Sequence, residues 1–327
     1  MNTTQSAGSL PPCLWQPVTV SEAWELKHNL GEAAVFTAGG TLLRTQWEAG
    51  AASPPAHLIS LEAVPELQGI RTGAGQVIIG ALVRLSACRS RQAGGLLAEA
   101  CRTIAAPSIR RLATLGGNVA SGIGDALPAL LVKGAVLQWY GDAGTERAGL
   151  ADWLDDRAGG ATDDRLLTAV ELEPDEAAAV SLAAGERRIE FYRKIGRREA
   201  FVPSLAAAAL SAAVREDGTL KGVRVAVGGG SSPARRLHGT ELELEGRGVD
   251  AALVRRLQAC VQEEWPAFPD AFASAEYRRL AAANVLAAGL WDGMRNGMRN
   301  GLAKETRGTG YGQEPKNGRG GTANEAG

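Results

Sequence analysis

Apolar positions recur along this chain with two periods, and the changes of period mark its elements. Ser21 stands ahead of Glu22–Leu30, which predicts a capped helix. The apolar run Ala34–Thr37 predicts a buried strand that ends abruptly at Gly39-Gly40. Val77–Gly80 predicts a further strand, and Leu96–Ala105 a helix with Leu97, Cys101 and Ile104 on one face. Helix Ala126–Val132 and strand Ala135–Tyr140 follow, closed by a turn at Gly141-Asp142.

The texture changes near Glu186. Arg188–Ile195 predicts a strand, and Leu205–Val214 and Leu220–Val227 flank Glu216-Asp217-Gly218, a hairpin turn whose glycine accepts positive φ. Asp250 caps a helix carrying Leu253, Leu257 and Val261; Ser274 caps another carrying Tyr277, Leu280, Asn284 and Val285. The tandem Gly-Met-Arg-Asn at 293–296 and 297–300 predicts fraying of that last helix. Residues 303–327 have almost no apolar side chains, cannot offset their ordering entropy, and are expected to be disordered. The fold class is α+β, divided as 1–182, 186–292 and a tail.

At 327 residues the chain suits two domains, each with its own core. A 45% hydrophobic fraction and a formal net charge of -1 describe a soluble globular protein without the basic face that nucleic acid requires. The longest apolar stretches, Leu127–Val136 and Leu205–Val214, are broken by Lys133 and Ser211, so no membrane span is expected. The N-terminus has no basic segment followed by an apolar run, and a cytoplasmic setting is expected. Cys13, Cys88, Cys101 and Cys260 are scattered without CxxC spacing and read as reduced structural thiols, not zinc or cluster ligands. His28, His57 and His238 lack nucleophile or carboxylate partners at suggestive spacing, so neither a catalytic residue nor a metal site is assigned.

Two glycine-rich segments carry the chemistry. In Thr37-Ala38-Gly39-Gly40-Thr41-Leu42-Leu43-Arg44 a strand feeds two glycines and then a helix-like run. Such a bend leaves backbone N–H groups pointing together, and missing Cβ atoms let a phosphate approach. Thr114-Leu115-Gly116-Gly117-Asn118-Val119-Ala120-Ser121, followed by Asp125, repeats the pairing and adds hydroxyls, an amide and a carboxylate. A tight strand-to-helix turn, with Asp125 capping the next helix, accounts for the same residues. Neither segment fits GxGxxG or GxxxxGK[ST], which disfavours a conventional dinucleotide or P-loop site. Two separate bends point to one extended ligand held from two sides.

Further blocks stand in order along residues 15–291: Ser60-Leu61-Glu62, Leu67-Gln68-Gly69-Ile70, Ile79-Gly80-Ala81, Ile109-Arg110, Ala113–Asn118, Phe191-Tyr192-Arg193-Lys194 with Arg197-Arg198, and Ser274-Ala275-Glu276-Tyr277-Arg278-Arg279. With Ala38-Gly39-Gly40-Thr41 this set resembles the FAD-binding subunit of the molybdenum hydroxylases, a family that includes xanthine dehydrogenase, aldehyde oxidase and aerobic carbon monoxide dehydrogenase. The resemblance implies a two-part FAD-binding domain of the PCMH or vanillyl-alcohol-oxidase type, then a small antiparallel sheet packed with helices. Gln46-Trp47-Glu48 after the first bend looks most like bacterial xanthine dehydrogenase flavin subunits of purine breakdown.

Carried over position by position, the resemblance implies that Thr37, Ala38, Gly39, Gly40, Thr41, Leu42, Leu43 and Arg44 hold the FAD diphosphate. It implies that Thr114, Leu115, Gly116, Gly117, Asn118 and Ser121 form the second loop. Ile104 matches a side chain against the isoalloxazine ring, Asp125 the ribose-binding acid, Leu167 a backbone contact to the adenine end, Lys194 a polar contact near the flavin, and Val202 an apolar residue on the ring's other face. Three positions depart from the pattern. Leu42 replaces an acid, Arg111 an asparagine, and the Ser121–Asp125 loop is shorter and lacks its usual proline or serine.

The same resemblance implies a division of labour in which partner subunits hold the molybdenum cofactor and two [2Fe–2S] clusters. This chain would pass electrons through FAD to NAD+ or another acceptor. Substrate choice (xanthine, nicotinate, an aldehyde, carbon monoxide) would lie in the large partner. A stand-alone flavoenzyme of the MurB or vanillyl-alcohol-oxidase kind and a flavin-free scaffold are the competing readings. The basic run Arg193, Lys194, Arg197 and Arg198 reads otherwise as a solvated strand end, and Gly228-Gly229-Gly230 as the end of a hairpin strand.

Overall fold

The structure, a computed structural model, describes residues 11–73, 75–90, 95–160, 163–173, 182–197 and 204–308. Strands β1 (Cys13–Trp15), β2 (Ala34–Thr37) and β3 (His57–Ser60) form a small parallel sheet in the order β1-β3-β2. Helix α1 (Val20–Leu30) packs on it, and α2 (Thr41–Glu48) leaves the end of β2. Thr19, not Ser21, caps α1: its Oγ1 accepts from the Glu22 amide at 3.1 Å, while the Glu22 carboxylate accepts from the Val18 amide at 2.8 Å. The hydroxyl satisfies one of the helix's end amides, and the Glu22 carboxylate ties back to the residue before the cap.

A five-stranded antiparallel sheet follows. It contains β4 (Ile70–Gly73), β5 (Gln76–Gly80), β6 (Val136–Gly141), β7 (Gly144–Gly149) and β8 (Leu166–Leu172) in the order β4-β5-β8-β6-β7. Between β5 and β6 the chain folds helices α3 (Gly95–Thr103), α4 (Pro107–Arg110), α5 (Leu115–Ala120) and α6 (Leu127–Val132); α7 (Leu150–Ala158) joins β7 to β8. Helix α3 stops two residues before the predicted Ala105, whose φ of 47° is incompatible with a right-handed helix.

The third sheet is antiparallel, β12-β11-β10-β9, from β9 (Arg187–Gly196), β10 (Ser204–Val214), β11 (Leu220–Gly229) and β12 (Ser232–Arg236). Helices α8 (His238–Leu244), α9 (Ala251–Glu264) and α10 (Ala275–Gly308) complete the chain. Asp250 and Ser274 accept from the Leu253 and Tyr277 amides at 2.7 and 3.1 Å, as the sequence predicts.

Strand β10 explains how the parts join. It is apolar and buried along nearly its whole length, as a strand covered on both faces must be. Ala207 and Ala209 pack with Leu127, Leu130 and Leu131 of α6, while Ala206, Ala208, Leu210, Ala212 and Val214 pack with Leu257, Val261 and Leu286 of α9 and α10. Small alanines let α6 approach, so residues on both sides of the expected 182/186 boundary share one core.

The end of the chain differs from expectation. Helix α10 continues through both Gly-Met-Arg-Asn repeats to Gly308, so residues 303–308 are helical rather than part of a disordered tail. Met, Arg, Leu, Ala, Lys and Glu are good helix formers, and glycines costing about 1 kcal/mol each do not stop them. The remainder of the expected tail lies outside the described residues.

Candidate functional site

The two glycine bends meet in one cleft of about 570 Å³. The first bend follows from the end of β2. Gly40 takes φ 62°, a left-handed conformation open to glycine, and turns the chain into α2. The first intrahelical bond runs from the Arg44 amide to the Gly40 carbonyl at 2.9 Å. The amides of Thr41, Leu42 and Leu43 therefore precede any α-helical bond, and Ala38, Gly39, Gly40, Thr41, Leu42 and Leu43 line the cleft. This is an anion cradle at a helix N-terminus. Arg44 takes no part in the lining: its Nε reaches Glu48 Oε1 at 2.7 Å on the outer face of α2. Thr37, the last residue of β2, stands behind the bend.

The second bend works differently. The Leu115 amide donates to the Val83 carbonyl at 2.8 Å and the Gly116 amide to the Ala81 carbonyl at 2.9 Å. Thr114 caps α5 by accepting from the Gly117 amide at 3.0 Å, and the Asn118 amide donates to the Thr114 carbonyl at 3.1 Å. Its amides are consumed within the protein, so this bend is not a second nest. Leu115 and Gly116 are buried; a Cβ on Gly116 would lie 2.6 Å from that of Ala81. What the bend offers the cleft is side chains: Thr114, Asn118 and Ser121 line it beside Gly117. Asn118 Oδ1 accepts from the Ala126 amide at 3.1 Å, which orients the amide and leaves its NH2 as donor.

Gly39 brings the two sides together, since its Cα packs directly against the Leu112 carbonyl. The wall between them carries Ile104 and Ala105. Ala105 is the one non-glycine residue with positive φ among the described residues, and buried Arg110 holds it there by donating to the Ile104 carbonyl at 2.8 Å and to that of Ala105. Burial lowers the Arg110 pKa, with nearby Arg89 adding to the effect, yet the guanidinium stays charged.

Asp125 borders the cleft but is engaged from the third sheet. Lys194 Nζ lies 2.7 Å from its Oδ2, Ser204 Oγ donates to its Oδ1, and the Tyr192 hydroxyl donates to its carbonyl at 2.9 Å. Burial, then the Asp125 charge, pushes the Tyr192 phenol well up and keeps it a donor. Lys194 also donates to the Thr103 carbonyl at 3.3 Å, behind the wall that carries Ile104.

Leu167 does not border the cleft. Its side chain is buried in β8 opposite Trp139, which bears on the side chain and not on the backbone contact expected there. Val202 and Arg198 lie outside the described residues. Arg193 pairs with Glu99 at 2.8 Å and Arg197 stacks on Phe272, 4.5 Å from the ring centre, and neither is among the cleft's lining residues. Sequence reading passed over Ser204 and Arg157 and read Gly230 only as the end of a hairpin strand; all three line the cleft. No motif marks Ser204 or Arg157, because they reach the cleft only once the sheets pack.

The amide cradle, the apolar wall at Ile104 and the polar edge at Thr114, Asn118 and Ser121 suit a ligand with an anionic centre and a planar end, so the residues present fit FAD. Among the described residues no group of three or more His, Cys, Asp or Glu is placed to hold a metal. No described helix is long and apolar enough to cross a membrane.

Comparison with known proteins decides the family. Residues 7–174 match the FAD binding domain in molybdopterin dehydrogenase. The chain belongs to the FAD-binding medium subunits of the molybdenum hydroxylases. Residues 190–291 of this medium subunit match the CO dehydrogenase flavoprotein C-terminal domain. It is 38% identical over 121 residues to the carbon monoxide dehydrogenase medium chain of Hydrogenophaga pseudoflava, covering 36% of this chain and 42% of that one. It is 32% identical over 144 residues to the medium chain of Afipia carboxidovorans, covering 42% and 50%. The match thus spans half or less of these curated relatives. The solved carbon monoxide dehydrogenase of Hydrogenophaga pseudoflava, a form lacking the Mo-pyranopterin moiety, aligns over 87% of this chain and 99% of its own with a TM-score of 0.74 and 25% identity. The α+β architecture expected from sequence is the one found.

Proposed function

We propose that this chain is the electron-transfer flavin subunit of a molybdenum hydroxylase, receiving electrons from a partner's [2Fe–2S] clusters and delivering them to an external acceptor. One observation carries the reading: the α2 amide cradle and the Thr114–Ser121 polar edge line the same cleft, with Ile104 between them. FAD bound there would accept electrons singly and release them singly or as a hydride. The chain's own work is placement. Thr41–Leu43 amides would hold the diphosphate, Thr114, Asn118 and Ser121 would fix the polar edge of the flavin, and Ile104, backed by Arg110, would keep water from its face. Residues paired as Asp125 is with Lys194 suit positioning rather than proton transfer.

The finer reading from the sequence is a xanthine dehydrogenase of purine breakdown with NAD+ as acceptor. The two medium-chain relatives belong to carbon monoxide dehydrogenases, which favours carbon monoxide as the oxidised substrate instead. In either case a large partner would hold the molybdenum cofactor and choose the substrate. Purification of the full chain should yield a flavin absorption band near about 450 nm. Co-purification with iron–sulfur and molybdenum subunits, then assay with xanthine plus NAD+ and with carbon monoxide plus a dye, would separate the substrate readings. A chain that takes no flavin, or that oxidises substrate unaided, would overturn the proposal.

A further inference from the structure

A diphosphate brings two negative charges, and the amides of one helix end contribute only about half an elementary charge. The described lining of the cleft holds two ionisable side chains that are charged at neutral pH, Asp125 and Arg157. Asp125 is offset by Lys194 at 2.7 Å. Arg157 is therefore the one cation among the described lining residues.

Arg157 is exposed to solvent, but two neighbours define its position. Arg157 stands in the last turn of α7, one turn beyond Trp153, and its guanidinium lies over the Trp153 ring, 5.4 Å from the centre. Trp153 is itself buried and donates to Asp163 Oδ2 at 3.0 Å, so the platform is fixed. On the other side Gly122, at φ 73°, lies under the guanidinium: a Cβ there would come within 3.0 Å of Arg157 Nε. The short Ser121–Asp125 loop thus leaves room for a side chain arriving from α7. Arg157 also borders a second cavity of about 520 Å³ with Asp142, Asp156, Asp163 and Asp164. Within it Asp163 pairs with Arg165 and Asp164 with Lys27, at 2.8 and 3.5 Å.

We propose that Arg157, seated between Trp153 and Gly122, is the cationic ligand of the FAD diphosphate in this chain. The proposal rests on the FAD reading above. A guanidinium presents a planar fork of donors that matches phosphate oxygens, and Thr41–Leu43 amides would meet the same group.

The test is titration of the deflavinated full chain with FAD and, separately, with riboflavin, which has no phosphate, followed by flavin fluorescence. Arg157→Gln should weaken FAD by about tenfold or more and leave riboflavin affinity unchanged. Arg157→Lys should recover part of the FAD affinity, and the FAD affinity of Arg157→Gln should fall less steeply with added salt than that of the natural chain. Unaltered FAD binding in Arg157→Gln would overturn the proposal. So would equal losses for FAD and riboflavin, which would show Arg157 acting through Trp153 or the acidic cavity. A natural chain that binds neither flavin would defeat the FAD reading itself.

Discussion

Gly39 touches Leu112 so closely that a Cβ on the glycine would lie 1.9 Å from the Leu112 carbonyl oxygen. The obstacle is backbone, fixed further by Arg84, which donates to that same carbonyl and pairs with Glu62 at 2.8 Å. The contact is the seam by which the first bend is set against the segment leading into the second.

Gly39→Ala should therefore cost FAD retention although it adds one methyl group, because only backbone movement can admit it. Gly40→Val should do the same by a different route: a β-branched residue at φ 62° is strained by more than the usual ~1–2 kcal/mol for the left-handed region. Gly50→Ala is the control. It sits at φ 66° with nothing within 4 Å of its Cβ and does not line the cleft, so it should lose a similar backbone term yet keep full flavin. Flavin content per chain, with denaturation midpoints, checks the contrast.

Ala105 and Arg110 should be coupled. Arg110→Gln frees the Ile104 and Ala105 carbonyls and should cost about 1.5–3 kcal/mol, the range for hydrogen bonds to a charged group. Ala105→Gly removes the left-handed penalty and should be close to neutral, since relief of strain offsets greater freedom of the unfolded chain. In the glycine background Arg110→Gln should cost measurably less, because there is less strain for the guanidinium to restrain. Additive losses in a double-mutant cycle would contradict this.

Much of this site was legible in the residues, for identifiable reasons. Doubled glycines announce a bend whatever surrounds them, and the hydroxyls at Thr114 and Ser121 announce polar contacts. What the second bend does with its amides was not legible, because Leu115 and Gly116 donate to Val83 and Ala81 in a segment distant along the chain. Asp125 looked free for a ribose because Lys194 and Ser204 arrive only when the third sheet docks. The strand pattern of β10 was plain from its apolar run, whereas the division of its alanines between two cores needed the helices on both faces.

Stability at acid pH should depend on Asp163. Burial opposes its charge, but hydrogen bonds and charge from Arg165, aided by Trp153, prevail and hold its pKa below the ordinary 3.8. A carboxyl lowered on folding adds stability that is present above its unfolded value and is lost as pH falls through the folded value. Asp163→Asn should therefore be less stable than the natural chain at pH 7, and the difference should begin to shrink once pH falls below the ordinary 3.8. Denaturant midpoints for both proteins from pH 2 to 7 would show it; a gap undiminished at pH 2 would contradict the charge-based account.

The Lys194–Asp125 pair should hold the second bend to the third sheet. Both side chains are largely buried, with 4% and 14% of their surfaces exposed, and they join the second bend to the third sheet. Removing either partner strands a buried charge, a loss of about 3–5 kcal/mol, whereas replacing both by apolar residues of similar size often costs little. Asp125→Asn and Lys194→Met should each destabilise strongly, and Asp125→Leu with Lys194→Met should be more stable than either single variant. Flavin should respond differently. Lys194 also braces the Thr103 carbonyl beside the Ile104 wall, so the double variant should regain stability without regaining full FAD affinity. If Asp125 instead binds ribose directly, Asp125→Asn should lose FAD affinity at nearly unchanged stability, and urea denaturation alongside FAD titration distinguishes the two roles.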